Sequence, residues 1–233
     1  MYDFILQVTN IDKQFPGVHA LKDVSFSVLR GEVHGLIGEN GAGKSTLIKS
    51  ITGAYSYDSG SIIFIDETGT QFKIHNPSDA KAAGIAAAYQ DLLAAPELTV
   101  GENFFLGRIP KTSLGAVDWS YIYQYSSKIL REYGISVDPR KKMRQLTVSQ
   151  QMMVTIAKLS SEHAKLIIFD EPTALLPNQE VQTFYKILRK LRANGVSMIY
   201  VSHRLEEILE VCDRVTVLKD GAIVGTKETS SVT

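Results

Sequence analysis

The stretch Gly38-Glu39-Asn40-Gly41-Ala42-Gly43-Lys44-Ser45-Thr46 decides how this chain reads. It fits the phosphate-binding pattern G-x-x-x-x-G-K-[ST]. Its glycines let the backbone turn N–H groups inward around phosphate oxygens. Lys44 supplies a point charge for the outer phosphates of a nucleotide, and the Ser45 hydroxyl is a ligand for Mg²⁺. The flanks agree. Val33–Ile37 is a short apolar run that reads as a buried strand, and residues 45–52 continue as a helix whose N-terminus adds partial positive charge. A glycine-rich turn that happens to contain a lysine would not account for both flanks.

A second element lies at Lys165-Leu-Ile-Ile-Phe-Asp170-Glu171. An apolar strand delivers Asp170 to a sheet edge, where it can hold Mg²⁺. Glu171 follows, where a carboxylate can orient or deprotonate an attacking water. By itself the pair also reads as acidic residues capping Pro172-Thr173. Three further residues have two readings each. Gln90 follows the strand Ile85–Tyr89 and can reach Mg²⁺ or water, or it is an ordinary polar strand end. His203 follows the strand Val196–Val201 and can sense a terminal phosphate, or it only opens a helix. Phe15, before Pro16-Gly17, can stack on a base, or it is a core aromatic.

Composition narrows the class. Of 233 residues, 25 are Lys or Arg and 25 are Asp or Glu, so the net charge is zero. That lacks the basic excess of a nucleic-acid binder. With 44% hydrophobic and 21% charged residues the chain reads as globular. The single cysteine, Cys212, allows no internal disulfide or cysteine metal cluster, and it receives no role. No signal-peptide pattern and no membrane-spanning run is present, so the expectation is an intracellular protein that meets a membrane only as a peripheral partner.

Along the chain, residues 4–11 and 23–29 alternate as half-exposed strands, and a strand follows the turn at Asp58-Ser59-Gly60. Residues 99–107, 120–133 and 149–161 read as helices with no strong strand among them. Beyond them come a strand at Leu166–Phe169, an amphipathic helix over 178–193, the strand before His203, a helix over 203–211 and a hairpin around Asp220-Gly221. The alternation predicts an α/β fold with a mainly parallel sheet. The helical middle, about 91–160, reads as a subdomain inserted in a core of about 1–90 and 161–233.

These elements, in this order, resemble the nucleotide-binding domain of ABC transporters over essentially the whole chain. The likeness implies one P-loop NTPase (RecA-like) domain with an N-terminal antiparallel β subdomain and the helical insert. It implies ATP and Mg²⁺ as ligands. It raises Phe15 to an aromatic loop, Gln90 to a glutamine loop and His203 to a switch. Within the family, Phe15-Pro-Gly-Val-His-Ala-Leu, Leu98-Thr-Val-Gly-Glu-Asn-Phe-Phe-Leu-Gly107, Asp170-Glu-Pro-Thr-Ala174 and Val201-Ser-His-Arg204 are similar to bacterial sugar importers of the ribose and galactose type. Those carry two such domains in one chain, and this chain looks like the N-terminal half.

Two places depart from the family pattern. The signature Leu-Ser-Gly-Gly-Gln reads Leu146-Thr147-Val148-Ser149-Gln150, which loses glycine freedom at 148 and 149. Pro177 stands where the aspartate after Ser-Ala-Leu is expected. The family builds each ATP site from one domain's phosphate loop and another's signature. The expectation is therefore an asymmetric pair, with Glu171 and Lys44 of this chain serving one hydrolytic site. The implied partners are a second ATPase domain, in trans or in a C-terminal half, permease subunits that dock on the helical subdomain, and indirectly an extracytoplasmic solute-binding protein. The implied place is the cytoplasmic face of the membrane. The rivals are a soluble ATPase of this class acting on nucleic acid or the ribosome, and a non-catalytic nucleotide sensor. The zero net charge argues against the first, and the intact Lys44, Asp170 and Glu171 against the second.

Overall fold

The computed structural model of the chain describes residues 4–88, 94–162, 164–174 and 176–232. In chain order the elements are β1 (Phe4–Phe15), β2 (Val18–Leu29), β3 (Val33–Ile37), α1 (Lys44–Ile51), β4 (Ser59–Ile65), β5 (Gln71–Lys73), α2 (Pro77–Ala83) and β6 (Ile85–Ala88). They continue with α3 (Val100–Phe104), α4 (Trp119–Glu132), α5 (Val148–Ser161), β7 (Leu166–Asp170), α6 (Asn178–Ala193), β8 (Ser197–Ser202), α7 (Leu205–Val211), β9 (Arg214–Lys219) and β10 (Ala222–Glu228). The chain divides into two compact units. One takes in residues 4–88, 164–172 and 188–232, and the other takes in residues 94–162 and 173–187.

The first unit holds two sheets among the described residues. One is antiparallel with the order β2-β1-β4-β5, and the other has the order β10-β9-β3-β8-β7-β6. In the second sheet β9, β3, β8, β7 and β6 pair in parallel, and only β10 runs antiparallel, as the return arm of a hairpin. The expected α/β fold with a mainly parallel sheet and an antiparallel β region is therefore present. β7 and β8 read as unbroken apolar runs because helices cover both faces of such a sheet. Ile167, Ile168, Phe169, Met198, Ile199 and Tyr200 are all fully buried.

β1 and β2 are longer than their alternation suggests. They form a hairpin in which Phe15 faces Val18 across Pro16-Gly17. The pairing slips near Asn10 and Asp23, both of which take left-handed backbone angles (φ 50° and 52°). These bulges break the period of two and hide the continuity of the strands. Two polar residues at the start of β3, Glu32 just before it and His34 within it, are nonetheless buried. His34 hydrogen-bonds the Glu32 carboxylate through Nδ1 and lies 2.7 Å from Thr216 Oγ1 through Nε2. Burial pushes the Glu32 carboxyl up, but the His34 hydrogen bond and charge, the Leu29 N–H and Arg214 together hold it below the ordinary glutamate value.

The second unit is helical among its described residues, apart from isolated bridges. Thr99 and Glu102 form a capping box that starts α3, and Thr147 and Gln150 form another that starts α5. Ile122, Ser126 and Leu130 repeat at helical spacing on the buried face of α4. Tyr123 and Tyr125 are half-buried, as expected for helix residues between core and solvent, while Tyr121 is exposed. No helix among the described residues is long and apolar enough to cross a membrane.

Leu36, in the middle of β3, has no solvent exposure, whereas Val224 on the edge strand β10 is 68% exposed. Leu36→Ala is expected to cost about 2–5 kcal/mol through lost transfer energy and the cavity left behind. Val224→Ala is expected to stay within about 0.5 kcal/mol. Urea unfolding of the two variants against the parent measures both.

Candidate functional site

Three adjacent parallel strands end together. Ile37 of β3 pairs with Ser202 of β8, and Asp170 of β7 pairs with Val201 of β8. The next residues in each strand, Gly38, His203 and Glu171, therefore leave the sheet side by side. Parallel sheets bind ligands in the crevice outside their carboxyl ends, and this edge is such a place.

The loop after β3 is shaped by close backbone approach. A Cβ on Gly38 would lie 2.3 Å from the Leu218 carbonyl oxygen. Gly43 has φ of 104°, and a Cβ there would lie 2.6 Å from the Ala20 carbonyl oxygen. No other residue type fits either position without moving the chain. Ala42 is buried; its N–H donates to the Glu39 carbonyl and its own carbonyl accepts from the Gly221 N–H, each at 3.1 Å. Lys44 is only 7% exposed, and its Nζ donates to the Gly38 carbonyl at 2.6 Å and to that of Glu39 at 3.1 Å. No side chain caps α1.

Glu39, Asn40, Gly41, Gly43, Lys44, Ser45 and Thr46 line one cavity of about 900 Å³, shared with Phe15, Asp170 and Glu171. Gly38 and Ala42 do not line it; they pack against Leu218 and Gly221. The Phe15 ring meets Tyr55 edge-on at 5.6 Å and carries the Lys13 ammonium 5.2 Å from its centroid. His203 is not part of the cavity wall, but its Nδ1 lies 3.2 Å from Glu171 Oε1. Gln90 lies outside the described residues.

The two carboxylates differ in setting. Burial and the neighbouring charge of Glu171 push the Asp170 carboxyl above the ordinary aspartate value, and Lys44 and Lys49 offset part of this. Glu171 adopts a left-handed backbone (φ 49°), and its N–H donates to the Val201 carbonyl at 3.0 Å. A non-glycine residue held this way costs about 1–3 kcal/mol, so its surroundings must fix it there.

His19, Lys22 and Asp220 also line the cavity and were not singled out from sequence. The Asp220-Gly221 turn was readable as a hairpin. Its position above the phosphate loop depends on β9 pairing with β3, and local sequence does not carry that pairing. In the second unit, Thr147 is the N-cap of α5. Its Oγ1 accepts the Gln150 N–H at 3.2 Å, Val148 is 44% exposed and Ser149 is buried. No positive φ occurs at residues 147–150, so this turn is built without glycine geometry.

Residues 21–174 match the ABC transporter family, and the chain belongs to that family. It is 46% identical to the xylose import ATP-binding protein XylG of Geobacillus kaustophilus, over 97% of this chain and 44% of that protein. It is 46% identical to the ribose import ATP-binding protein RbsA 1 of Streptomyces avermitilis, over 96% of this chain and 42% of that protein. It is 45% identical to the galactose/methyl galactoside import ATP-binding protein MglA of Clostridium perfringens, over 98% of this chain and 44% of that protein. The chain thus spans less than half the length of these relatives. Among solved structures, the ADP conformation of MJ1267, an ATP-binding cassette of an ABC transporter, superposes with a TM-score of 0.83 at 28% identity. That match covers 97% of this chain and 91% of MJ1267.

The raised Asp170 carboxyl makes a stability prediction with a definite sign. As pH rises through the ordinary aspartate range, the unfolded chain releases this proton before the folded one does. Folded stability therefore falls with rising pH until Asp170 itself ionises. Asp170→Asn removes that loss. Without nucleotide, the variant is expected to melt above the parent at about pH 7, with the difference vanishing near about pH 3 where both forms of the aspartate are protonated. Thermal melts at the two pH values check it; a pH-independent difference would contradict it.

Proposed function

We propose that this chain is the ATP-binding and ATP-hydrolysing domain of an importer for a sugar or a related small solute. The observation that carries this is the convergence of Lys44, Ser45, Asp170 and Glu171 on one cavity at the carboxyl edge of the sheet, with His203 in contact with Glu171. Identity of 45–46% to import ATP-binding proteins for xylose, ribose and galactose supports the solute class.

In this reading the backbone N–H groups of residues 39–46 and the Lys44 ammonium bind the phosphates, and Phe15 stacks on adenine. The residues present suit Mg²⁺. Asp170 is a partly buried carboxylate disfavoured by a neighbouring charge, which a cation would relieve, and the Ser45 hydroxyl lines the same cavity. Held by Asp170 and Ser45, the metal would neutralise negative charge developing on the phosphates. Glu171 orients the attacking water and accepts its proton, and His203 holds Glu171 in register and senses the terminal phosphate. Gln90, outside the described residues, would be a further ligand, as the family resemblance implies.

We further propose that a second cassette domain, in trans or in a C-terminal half, closes over this site with its own signature. The Thr147–Gln150 turn of this chain faces the other nucleotide, where lost glycine geometry weakens turnover. Closure and reopening would drive permease subunits docked on the helical unit, fed by an extracytoplasmic binding protein. One cassette, residues 1–233, then works as a peripheral protein on the cytoplasmic side.

ATPase activity measured against protein concentration tests this reading. Glu171→Gln is expected to lower turnover about 10²–10⁴-fold while Mg·ATP binding persists. Lys44→Ala is expected to lose the binding itself. Nucleotide binding that survives Lys44→Ala would reject the site.

A further inference from the structure

Glu207, in the first turn of α7, is a carboxylate with only 7% of its surface exposed, and no step described above uses it. Its Oε2 accepts from Tyr200 Oη and from Ser202 Oγ, each at 3.0 Å. Its Oε1 accepts from Arg204 Nη1 at 3.3 Å. Ser202 Oγ in turn accepts the backbone N–H of Arg204 at 3.0 Å. The four groups flank His203 on both sides in sequence. Tyr200 and Ser202 are buried at the end of β8, whereas the His203 side chain is 52% exposed.

The geometry sorts the segment 200–204 into two directions. Tyr200, Ser202 and Arg204 turn toward one buried carboxylate, and His203 turns toward Glu171, the residue after β7. A carboxylate is costly to bury unless donors satisfy it, so this cluster is tightly specified. Without Glu207 the Ser202 and Tyr200 hydroxyls lose a shared acceptor, and Arg204 loses a charged partner. The turn that aims His203 then loses its anchor.

We propose that Glu207 is the positioning residue of the His203 switch. Its carboxylate fixes the turn Ser202–Arg204 and through it the contact between His203 and Glu171. It does not line the nucleotide cavity. The inference rests on the ATP-hydrolysis reading above.

The test uses the full-length protein in its transporter, with Glu207→Gln, which keeps the volume but replaces one acceptor oxygen by a donor. kcat is expected to fall about tenfold to a hundredfold, the cost of a misaimed group, with KM for Mg·ATP within about twofold of the parent. In a His203→Ala background Glu207→Gln is expected to lower kcat no further, because both changes act on one contact. A second readout needs no turnover. With labelled histidine, the His203 ring resonance is expected to shift on Glu171→Gln in the parent and to lose that response in Glu207→Gln. Unchanged kcat, an independent loss in the His203→Ala background, or a ring response that persists would overturn the proposal. Should the parent not hydrolyse ATP, the functional reading fails and the ring response alone decides the role of Glu207. Should Glu207→Gln not fold, Ser202→Ala carries the same two readouts.

Discussion

The parallel register of β3, β8 and β7 is the constraint on which the rest of this molecule depends. The pairs Ile37 with Ser202 and Asp170 with Val201 bring three strand ends to one line. A strand advances about 3.3 Å per residue, so a slip of two residues would carry Glu171 or His203 about 7 Å away from the other. A slip of one residue would turn every side chain to the opposite face. The buried apolar runs of β7 and β8 make such slips costly, since both faces of the strands are packed. Chemistry at the sheet edge is thus held by side chains that never touch it.

Backbone geometry at that edge is equally constrained. Glu171 occupies a left-handed conformation and is tied by its own N–H to Val201, a β8 residue two positions before His203. The main chain of Glu171 therefore reports to β8 and its side chain to His203, the residue after β8. The Gly38 contact with Leu218 performs a similar service on the other side, seating the phosphate loop against β9. Both contacts link neighbouring strands rather than residues close in sequence.

That distinction explains what could be read in advance. The phosphate loop, the acidic strand and the apolar strands are local patterns of four to nine residues, and each is found where its pattern lies. β5 and α2 were not read, although Asn76 accepts from the N–H groups of Ser78 and Asp79 and Pro77 opens the helix. α2 spans only 77–83, too few residues for helical periodicity to accumulate, and β5 is three residues long. The helix expected over 99–107 closes to Val100–Phe104. The reach of β1 and β2 was hidden by bulges at Asn10 and Asp23. His19, Lys22 and Asp220 carry no motif, because they enter the cavity through the long hairpin and through β9, both products of tertiary pairing.

Lys44 has a consequence for how anions are selected here. Its ammonium is nearly sealed from solvent and already bonded to two neutral carbonyls, those of Gly38 and Glu39. Most of its surface was withdrawn from bulk water during folding. An arriving anion competes with fixed dipoles a few ångströms away rather than with mobile water. A small, singly charged ion has little to gain from that exchange, whereas a polyphosphate reaching several loop N–H groups at once gains at each. Screening by bulk salt also acts weakly on a charge so enclosed. A loop of this geometry favours a polyphosphate over a small monovalent anion before either arrives.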